Sequence, residues 1–403
     1  MKPVNLYYRA YQKVMYVAVY ALPWNFPEIV KGAGSVKKIP KILQKKGINN
    51  VMIVTDKGLT GLGLLNGLYA SLEDAGIAYS VFDGVQPNPT TYNVEEAREL
   101  YIENGCQGVI AFGGGSPMDC AKIMAARLVK PHQSVQQMAG LLKIRKKLPT
   151  FIAVPTTAGT GSETTLAAVI SDPDTHTKFP INDTSLLPDY AVLDPELTIG
   201  LPPHITSTTG MDALTHAVEA YIGKSNTKDT AEKALEATKL IFRYLEKAYA
   251  NGKDLMAREK MLVASHYAGI AFTRAYVGYV HAIAHALGGL YGIPHGLANA
   301  VILPHVLDYY GETAYDRLAD LADAADLTPE DKSARGKALA FVAAIRQMNA
   351  DMNIPTGFTQ IKEEDIDFIV ERALHEGNPL YPVPKIMDKK DCEAVVRGLI
   401  LKD

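Results

Sequence analysis

The feature that most constrains the fold is an alternation, over the first half of the chain, of short apolar runs with longer amphipathic segments. The apolar runs occupy residues 51–54, 79–82, 108–112 and 151–154, and each is followed by turn-forming or small polar residues. The segments 36–46, 62–75 and 94–103 carry apolar residues at helical spacing. This alternation predicts an α/β domain with a mostly parallel sheet.

The pattern changes near residue 200. The segment 194–203 contains two proline turn sites, and after it long helical patterns replace the strand signals, at 212–222, 229–249, 257–272 and 312–348. A chain of 403 residues is also longer than one ordinary core supports. We therefore predict an α/β domain over residues 1–200 and an all-helical domain over residues 201–403.

Composition limits the kinds of partner. Charged residues make up 21% of the chain and the formal net charge is −3, which gives no electrostatic basis for binding nucleic acid or an anionic membrane. We expect no membrane partner either, because no stretch approaches the roughly twenty apolar residues of a spanning helix. The three cysteines are widely spaced and lack a Cys-x-x-Cys pair, which indicates neither disulfides nor a thiolate metal site. A small soluble ligand and a cytoplasmic location are the simplest expectations.

The N-terminus superficially resembles a signal peptide, because basic residues precede the apolar run 14–22. However, the run is rich in tyrosine, lacks a small-x-small cleavage site and is followed by a proline-containing segment. Its aromatic and β-branched residues instead predict an edge strand.

Four histidines and one aspartate indicate a metal site. Asp212 and His216 are four residues apart in one helical pattern, His281 and His285 are four apart in another, and His295 follows a proline. Residues four apart share a helix face, so each pair can converge on one point. A carboxylate with imidazoles suits Fe²⁺ or Zn²⁺ better than Ca²⁺ or Mg²⁺, whereas any one of these histidines alone is more simply a hydrogen-bonded core residue.

Two glycine-rich turns that follow strand signals indicate a bound nucleotide. In the first turn, Ser116 can cap the next helix, Pro117 suits its first position, and bare glycines let N–H groups approach a pyrophosphate. The sequence is not the G-x-G-x-x-G fingerprint, and a glycine cluster alone is as readily a tight turn. The second turn repeats the pattern with small hydroxyl residues. The first turn spans residues 113–119, including Gly114, and the second spans residues 156–163.

Asp56 follows the first of these strands, where a carboxylate can accept hydrogen bonds from an adenosine ribose and repel a 2′-phosphate. A helix cap is an equally good interpretation. In the usual fingerprint the acidic residue follows the glycines in the chain, whereas Asp56 precedes them. This order indicates a chain topology that differs from that of an ordinary Rossmann domain.

In their order and spacing, these motifs resemble the iron-containing (group III) alcohol dehydrogenases, the family of lactaldehyde reductase and of many butanol and 1,3-propanediol dehydrogenases. The resemblance runs from about Phe26 to the C-terminal region. It implies a dehydroquinate synthase-like fold, with an NAD-binding α/β domain and a helical metal-binding domain. It also implies that Asp212, His216, His281 and His295 bind Fe²⁺ or Zn²⁺, while His285 lies near the metal without being a ligand.

For NAD, the resemblance implies a set of binding residues drawn from both turns and from other strand ends, namely Asp56, Asn88, Gly114, Gly115, Ser116, Thr156, Thr157, Thr160, Lys178 and Leu197. It implies NAD rather than NADP at Asp56, and a homodimer or larger homo-oligomer. The implied reaction is reversible hydride transfer between NAD(H) and a small primary alcohol or diol, with His285 as a hypothetical proton relay. Phe272 is either a wall of the substrate pocket or a core aromatic residue.

Three alternatives stay open at this point. A zinc-dependent glycerol or polyol dehydrogenase would use a closely related site. A metal-dependent hydrolase would use the same ligands to activate water but would not need two nucleotide turns. A catalytically silent NAD-sensing protein would bind the nucleotide without turnover.

Overall fold

A computed structural model describes residues 3–175 and 177–401 of the chain. By internal contacts the chain forms two compact units. One unit comprises residues 23–200, and the other comprises the N-terminal segment up to Leu22 together with the chain from Leu201 onwards.

The N-terminal segment is a helix, α1 (Pro3–Tyr20), so the prediction of an edge strand over residues 14–22 was wrong. The physical reason is a set of contacts distant in sequence. Arg9 donates to the carbonyl oxygens of Val383 and Pro384, and the buried Gln12 donates to those of Pro379 and Tyr381. These contacts hold one face of α1 against the helical unit and leave the aromatic and β-branched residues of the opposite face exposed.

In the α/β unit, the described residues form a six-stranded parallel sheet in the order β1-β9-β6-β4-β2-β3 and a small sheet in the order β5-β8-β7. The predicted fold class is confirmed. The strands are β1 (Glu28–Lys31), β2 (Asn50–Val54), β3 (Ala78–Phe82), β4 (Gly108–Gly113), β5 (Gly140–Leu141), β6 (Thr150–Pro155), β7 (Ala167–Asp172), β8 (Thr177–Asn182) and β9 (Tyr190–Leu193). The helices are α2 (Ile39–Lys45), α3 (Lys57–Gly61), α4 (Asn66–Asp74), α5 (Thr91–Glu103) and α6 (Gly115–Val129).

The central strands are apolar on both faces because both faces of the sheet are covered. Met52 and Val54 of β2 join a core cluster with residues of α5 and α6, whereas Val51 and Ile53 join a second cluster with residues of α2 and α4. Parallel strands buried on both sides have continuous apolar runs of this kind.

The helical unit consists, after α1, of nine further α-helices within the described residues. They are α7 (Pro203–Ile222), α8 (Lys228–Ala250), α9 (Leu255–Ala275), α10 (Tyr279–Tyr291), α11 (His295–Tyr310), α12 (Tyr315–Ala324), α13 (Ala334–Asp351), α14 (Ile366–Gly377) and α15 (Lys389–Arg397). Helices α7 and α8 approach closely at Gly210, where an added Cβ would lie 2.2 Å from Leu245 Cδ1. The predicted pattern 312–348 is interrupted between α12 and α13, where Asp326 has a φ of 57° and Pro329 follows.

No helix among residues 3–175 and 177–401 is both long and apolar enough to span a membrane.

Candidate functional site

The helical unit brings four metal-ligating side chains to one point. Asp212 and His216 lie one turn apart on α7, His281 lies in the first turn of α10, and His295 is the first residue of α11. One donor atom from each of the four residues lies within 4.8 Å of the others. Asp212 Oδ1 is 3.4 Å from His295 Nε2 and 3.8 Å from His281 Nε2.

Aromatic stacking orients the His216 ring. It stacks against His281 at a centroid distance of 4.5 Å and against Phe272 at 4.0 Å. Phe272 is partly buried, so it both supports a predicted ligand and borders the cluster.

The chemistry of His281 fits a metal cation. Its Nδ1 lies 2.6 Å from Glu219 Oε2, while its Nε2 is buried with no hydrogen-bond partner among the described residues. Burial, and then the neighbouring His216 and His295, holds the pKa of His281 well below its ordinary value, so the imidazole is neutral. A neutral imidazole whose buried nitrogen has no hydrogen-bond partner and lies beside a carboxylate can bind a divalent ion. Three imidazoles with one carboxylate suit Fe²⁺ or Zn²⁺.

Two residues that support the cluster were missed by the sequence reasoning. Glu219 lies three residues beyond His216 on α7, and Asn299 lies four residues beyond His295 on α11. Asn299 Nδ2 is 2.6 Å from Asp212 Oδ1 and 3.1 Å from His295 Nε2. Both residues are buried, and helical spacing from a predicted ligand is the signal that identifies them.

His285 lies beside the cluster in a hydrogen-bonded chain of its own. Its Nδ1 is 2.7 Å from Glu376 Oε1, which also accepts from the Tyr381 hydroxyl at 2.8 Å. Burial acts to raise the pKa of Glu376, but His285 and the hydrogen bonds outweigh it and lower that pKa. The His285 side chain is 42% exposed and stacks on His295 at 5.1 Å. It therefore lies next to a predicted ligand and also contacts solvent.

In the α/β unit, the candidate nucleotide residues follow the carboxyl ends of the strands of the large sheet. Asp56 follows β2, Asn88 follows β3, the glycine turn follows β4, the threonine turn follows β6 and Leu197 follows β9. Parallel neighbours end at the same edge of a sheet, which is where open α/β sheets bind ligands.

The two turns lie against each other. Thr156 N donates to Gly113 O at 3.1 Å. A Cβ on Gly114 would lie 3.5 Å from Thr157 Oγ1, and one on Gly115 would lie 3.2 Å from Thr160 Cγ2. Because glycine has no side chain, the first turn can approach the threonine side chains of the second turn this closely.

The prediction that Ser116 caps α6 was wrong. The helix begins at Gly115 with Gly114 as its N-cap, so Ser116 lies in the first turn and Pro117 follows it. The reason is Gly113, whose φ of 148° completes the turn earlier than the serine signal suggests.

The remaining candidates fall into three environments. Asp56 caps α3 by accepting from Leu59 N at 3.1 Å, so the cap interpretation holds, and a second carboxylate oxygen is left for other donors. Asn88 Oδ1 accepts from Lys178 Nζ at 2.8 Å. Leu197 is buried in the core on the α2 and α4 side of the sheet.

A buried lysine, also missed, holds the threonine turn. Lys122 of α6 has no exposed surface, and its ammonium group lies within 3.1 Å of five oxygens of Ser162, Thr165 and Ala167. Asp119, one turn earlier, accepts from Ser162 Oγ and Val169 N. Helix α6 therefore fixes the position of the turn that follows β6.

Comparison with known proteins identifies the family. Residues 27–195 match the family model described as iron-containing alcohol dehydrogenase, and residues 206–400 match the C-terminal model of the Fe-containing alcohol dehydrogenase family. The chain belongs to the iron-containing alcohol dehydrogenase family. The resemblance read from the motifs is confirmed, and so is the prediction of an oxidoreductase.

Members of the family align over nearly the whole chain. A 1,3-propanediol dehydrogenase of Klebsiella pneumoniae is 39% identical over 91% of this chain and 95% of its own length. An NAD-dependent methanol dehydrogenase of Bacillus methanolicus is 36% identical over 93% of this chain and 98% of its own. The solved structure of an alcohol dehydrogenase from Oenococcus oeni has a TM-score of 0.90 at 36% identity and covers 94% of this chain and 100% of that one.

Proposed function

We propose that this alcohol dehydrogenase interconverts a small primary alcohol or diol and its aldehyde, with NAD(H) as hydride carrier and Fe²⁺ or Zn²⁺ as metal. The observation that carries the proposal is the convergence of Asp212, His216, His281 and His295 within 4.8 Å. These four residues would hold the metal. When bound, the metal would act as a Lewis acid toward the substrate oxygen and NAD would accept or supply the hydride.

The α/β unit would bind the nucleotide. The N–H groups of Gly114, Gly115 and Ser116 at the start of α6 suit a pyrophosphate, because a helix N-terminus favours negative charge. The hydroxyls of the second turn, contributed by Thr156, Thr157 and Thr160, lie beside these glycines. Asn88 and Lys178, joined by a hydrogen bond, and Leu197 complete the proposed set.

Asp56 supports NAD rather than NADP as the cofactor. One of its carboxylate oxygens caps α3, which fixes the side chain at the end of β2. A carboxylate held there can accept from ribose hydroxyls and would repel a 2′-phosphate.

His285 is the proposed proton relay. Its Nδ1 faces the Glu376 carboxylate, so the ring can hold a proton there while Nε2 exchanges with substrate or solvent. Its partial exposure gives the proton a route out, and its stacking on His295 keeps the ring beside the proposed ligands.

The substrate class is tested by following NADH formation anaerobically with primary alcohols, vicinal and 1,3-diols, and glycerol as separate substrates. The proposal predicts the highest kcat/KM for a small primary alcohol or diol. A preference for glycerol would favour the polyol dehydrogenase alternative. Binding of NADH without turnover of any substrate would favour the sensing alternative.

We also propose a homodimer or larger homo-oligomer. Helix α1 presents exposed apolar residues in a row along one side, including Leu6, Tyr7, Val14 and Val17, each 59–67% exposed. A contiguous apolar surface of this kind is typical of an interface.

A cytoplasmic location is proposed from cysteine usage. Cys106, Cys120 and Cys392 are all buried thiols outside any disulfide, and burial raises the pKa of each. Buried thiols suit a reducing compartment. Cell fractionation with an antibody to the protein tests this location.

A further inference from the structure

Glu219 has an unusual set of contacts for a buried carboxylate. It is 4% exposed, and N–H groups of Gly278, Val280 and His281 converge on it. Gly278 N and Val280 N donate at 2.8 Å each, and His281 Nδ1 lies at 2.6 Å. The carboxylate thus binds the start of α10 through its backbone and one proposed metal ligand through its ring.

The close approach of Glu219 to α10 depends on Gly278. A Cβ at position 278 would lie 2.6 Å from Glu219 Oε1, closer than any ordinary contact. Gly278 has a φ of −138°, which any residue can adopt, so the space for the carboxylate is what the glycine provides.

We infer that Glu219 is a positioning residue that acts through His281. It holds the His281 ring with Nδ1 protonated and Nε2 directed at Asp212, which is the orientation needed to bind the metal. The inference rests on the proposed function, since it takes His281 to be a ligand. Because Nδ1 faces a carboxylate oxygen, its proton stays on Nδ1 and the lone pair stays on Nε2. Nε2 is the atom without a hydrogen-bond partner among the described residues, 3.8 Å from Asp212 Oδ1.

A carboxylate behind a ligating imidazole acts in two ways. It fixes the ring orientation, and its negative charge makes Nε2 a stronger donor to a cation. Loss of such a partner lowers metal affinity by about 10–100-fold. Two substitutions separate the two contributions. Glu219→Gln removes the charge but keeps one acceptor oxygen, and Glu219→Leu removes both.

The test is Co²⁺ affinity, measured by competition with a chromogenic chelator, together with the visible absorption of the Co²⁺ form. We expect Glu219→Gln to weaken Co²⁺ binding about tenfold and Glu219→Leu about 100-fold. We also expect the Co²⁺ absorption bands of both variants to differ from those of the wild type. Wild-type affinity and wild-type bands in Glu219→Leu would overturn the inference.

A purely structural role for Glu219 as a cap of α10 predicts a different result. Asp254→Ala is the matched control, because Asp254 caps α9 through Ala257 N at 3.0 Å and contacts none of the proposed ligands. Both Glu219→Leu and Asp254→Ala should lower the unfolding temperature in excess chelator. Only Glu219→Leu should weaken Co²⁺ binding by the folded protein.

Gly278→Ala gives a second route if Glu219→Leu does not fold. The added methyl group must displace the carboxylate, so weaker Co²⁺ binding is again expected, and unchanged binding would overturn the inference. The wild type separates the two proposals. If the wild type does not bind Co²⁺, the proposed function and the inference both fail. If the wild type binds Co²⁺ and the variants bind it equally well, the inference alone fails.

Discussion

Lys122 shows how one residue can organise a turn that lies about forty residues further along the chain. Its ammonium group is surrounded by the carbonyl oxygens of Ser162, Thr165 and Ala167 and by two hydroxyls. Burial lowers the pKa of Lys122 to about 8, against the opposing effect of Asp119 and Glu163. Sequence spacing does not reveal these contacts, because Lys122 occupies an ordinary helical position.

Lys122→Met should therefore destabilise the protein by about 3–5 kcal/mol, since it leaves buried oxygens without a donor. Urea unfolding followed by circular dichroism measures this. Lys122→Met should also raise KM for NADH in the folded fraction, because the threonine turn loses its hydrogen bonds to the Lys122 ammonium group. Lys146→Met is the control in the same unit, because Lys146 is exposed and donates to the carbonyl oxygen of Val129. Equal stability of the two variants would contradict this account of Lys122.

Asp56→Asn should raise the ratio of kcat/KM for NADPH to that for NADH by roughly tenfold, because it removes a charge that repels a 2′-phosphate. Asparagine keeps an oxygen that can cap α3, so the fold should be unchanged. Initial rates with the two cofactors measure the ratio. An unchanged ratio would mean that Asp56 is a cap only.

His285→Ala should lower kcat by about 10²-fold or more, the low end of the range for a general acid or base, and should alter the pH dependence of kcat. Steady-state rates across pH measure both. His132→Ala, an exposed histidine in the other unit, should behave like wild type. Near-normal turnover and an unaltered pH profile in His285→Ala would exclude the relay.

At the scale of elements, apolar runs and turn residues in the sequence predicted the strands and turns that depend on nearby residues alone. The runs at 108–112 and 151–154 are strands because residues on both of their faces are buried apolar ones, and the glycine turn and the threonine turn follow them as predicted. Helix α1 and the cap of α6 were mispredicted because contacts at residues 379–384 and the φ of Gly113 decide them. The same limit applies to Glu219, whose partner is 62 residues away.

The exposed face of α1 predicts an effect of charge on assembly. Val14→Glu combined with Val17→Glu should give a smaller particle by size-exclusion chromatography with light scattering, because an apolar interface does not tolerate unpaired charges. Leu62→Glu, at an exposed apolar position of the α/β unit, should leave the particle mass unchanged. A wild-type monomer would contradict the oligomer proposal, and an unchanged mass in the double variant would exclude α1 as the interface.

At the scale of the whole molecule, the proposed function assigns different parts of one reaction to the two units. The helical unit contributes one carboxylate and three imidazoles from α7, α10 and α11. The α/β unit contributes helix N-terminal N–H groups and hydroxyls at the ends of parallel strands. A hydrolase would need only the first of these, so the pairing of both in one chain is what favours metal-assisted hydride transfer.

The most direct test of this account is the rate of NADH oxidation with propionaldehyde by metal-stripped protein reconstituted anaerobically with Fe²⁺ or, in parallel, with Zn²⁺. The account predicts no turnover without metal and restored turnover with at least one of the two ions, the faster ion being the better candidate for the working metal. It also predicts that Asp212→Ala, treated in the same way, regains no activity. Absence of turnover with either ion, in wild-type protein that demonstrably binds both metal and NADH, would contradict it.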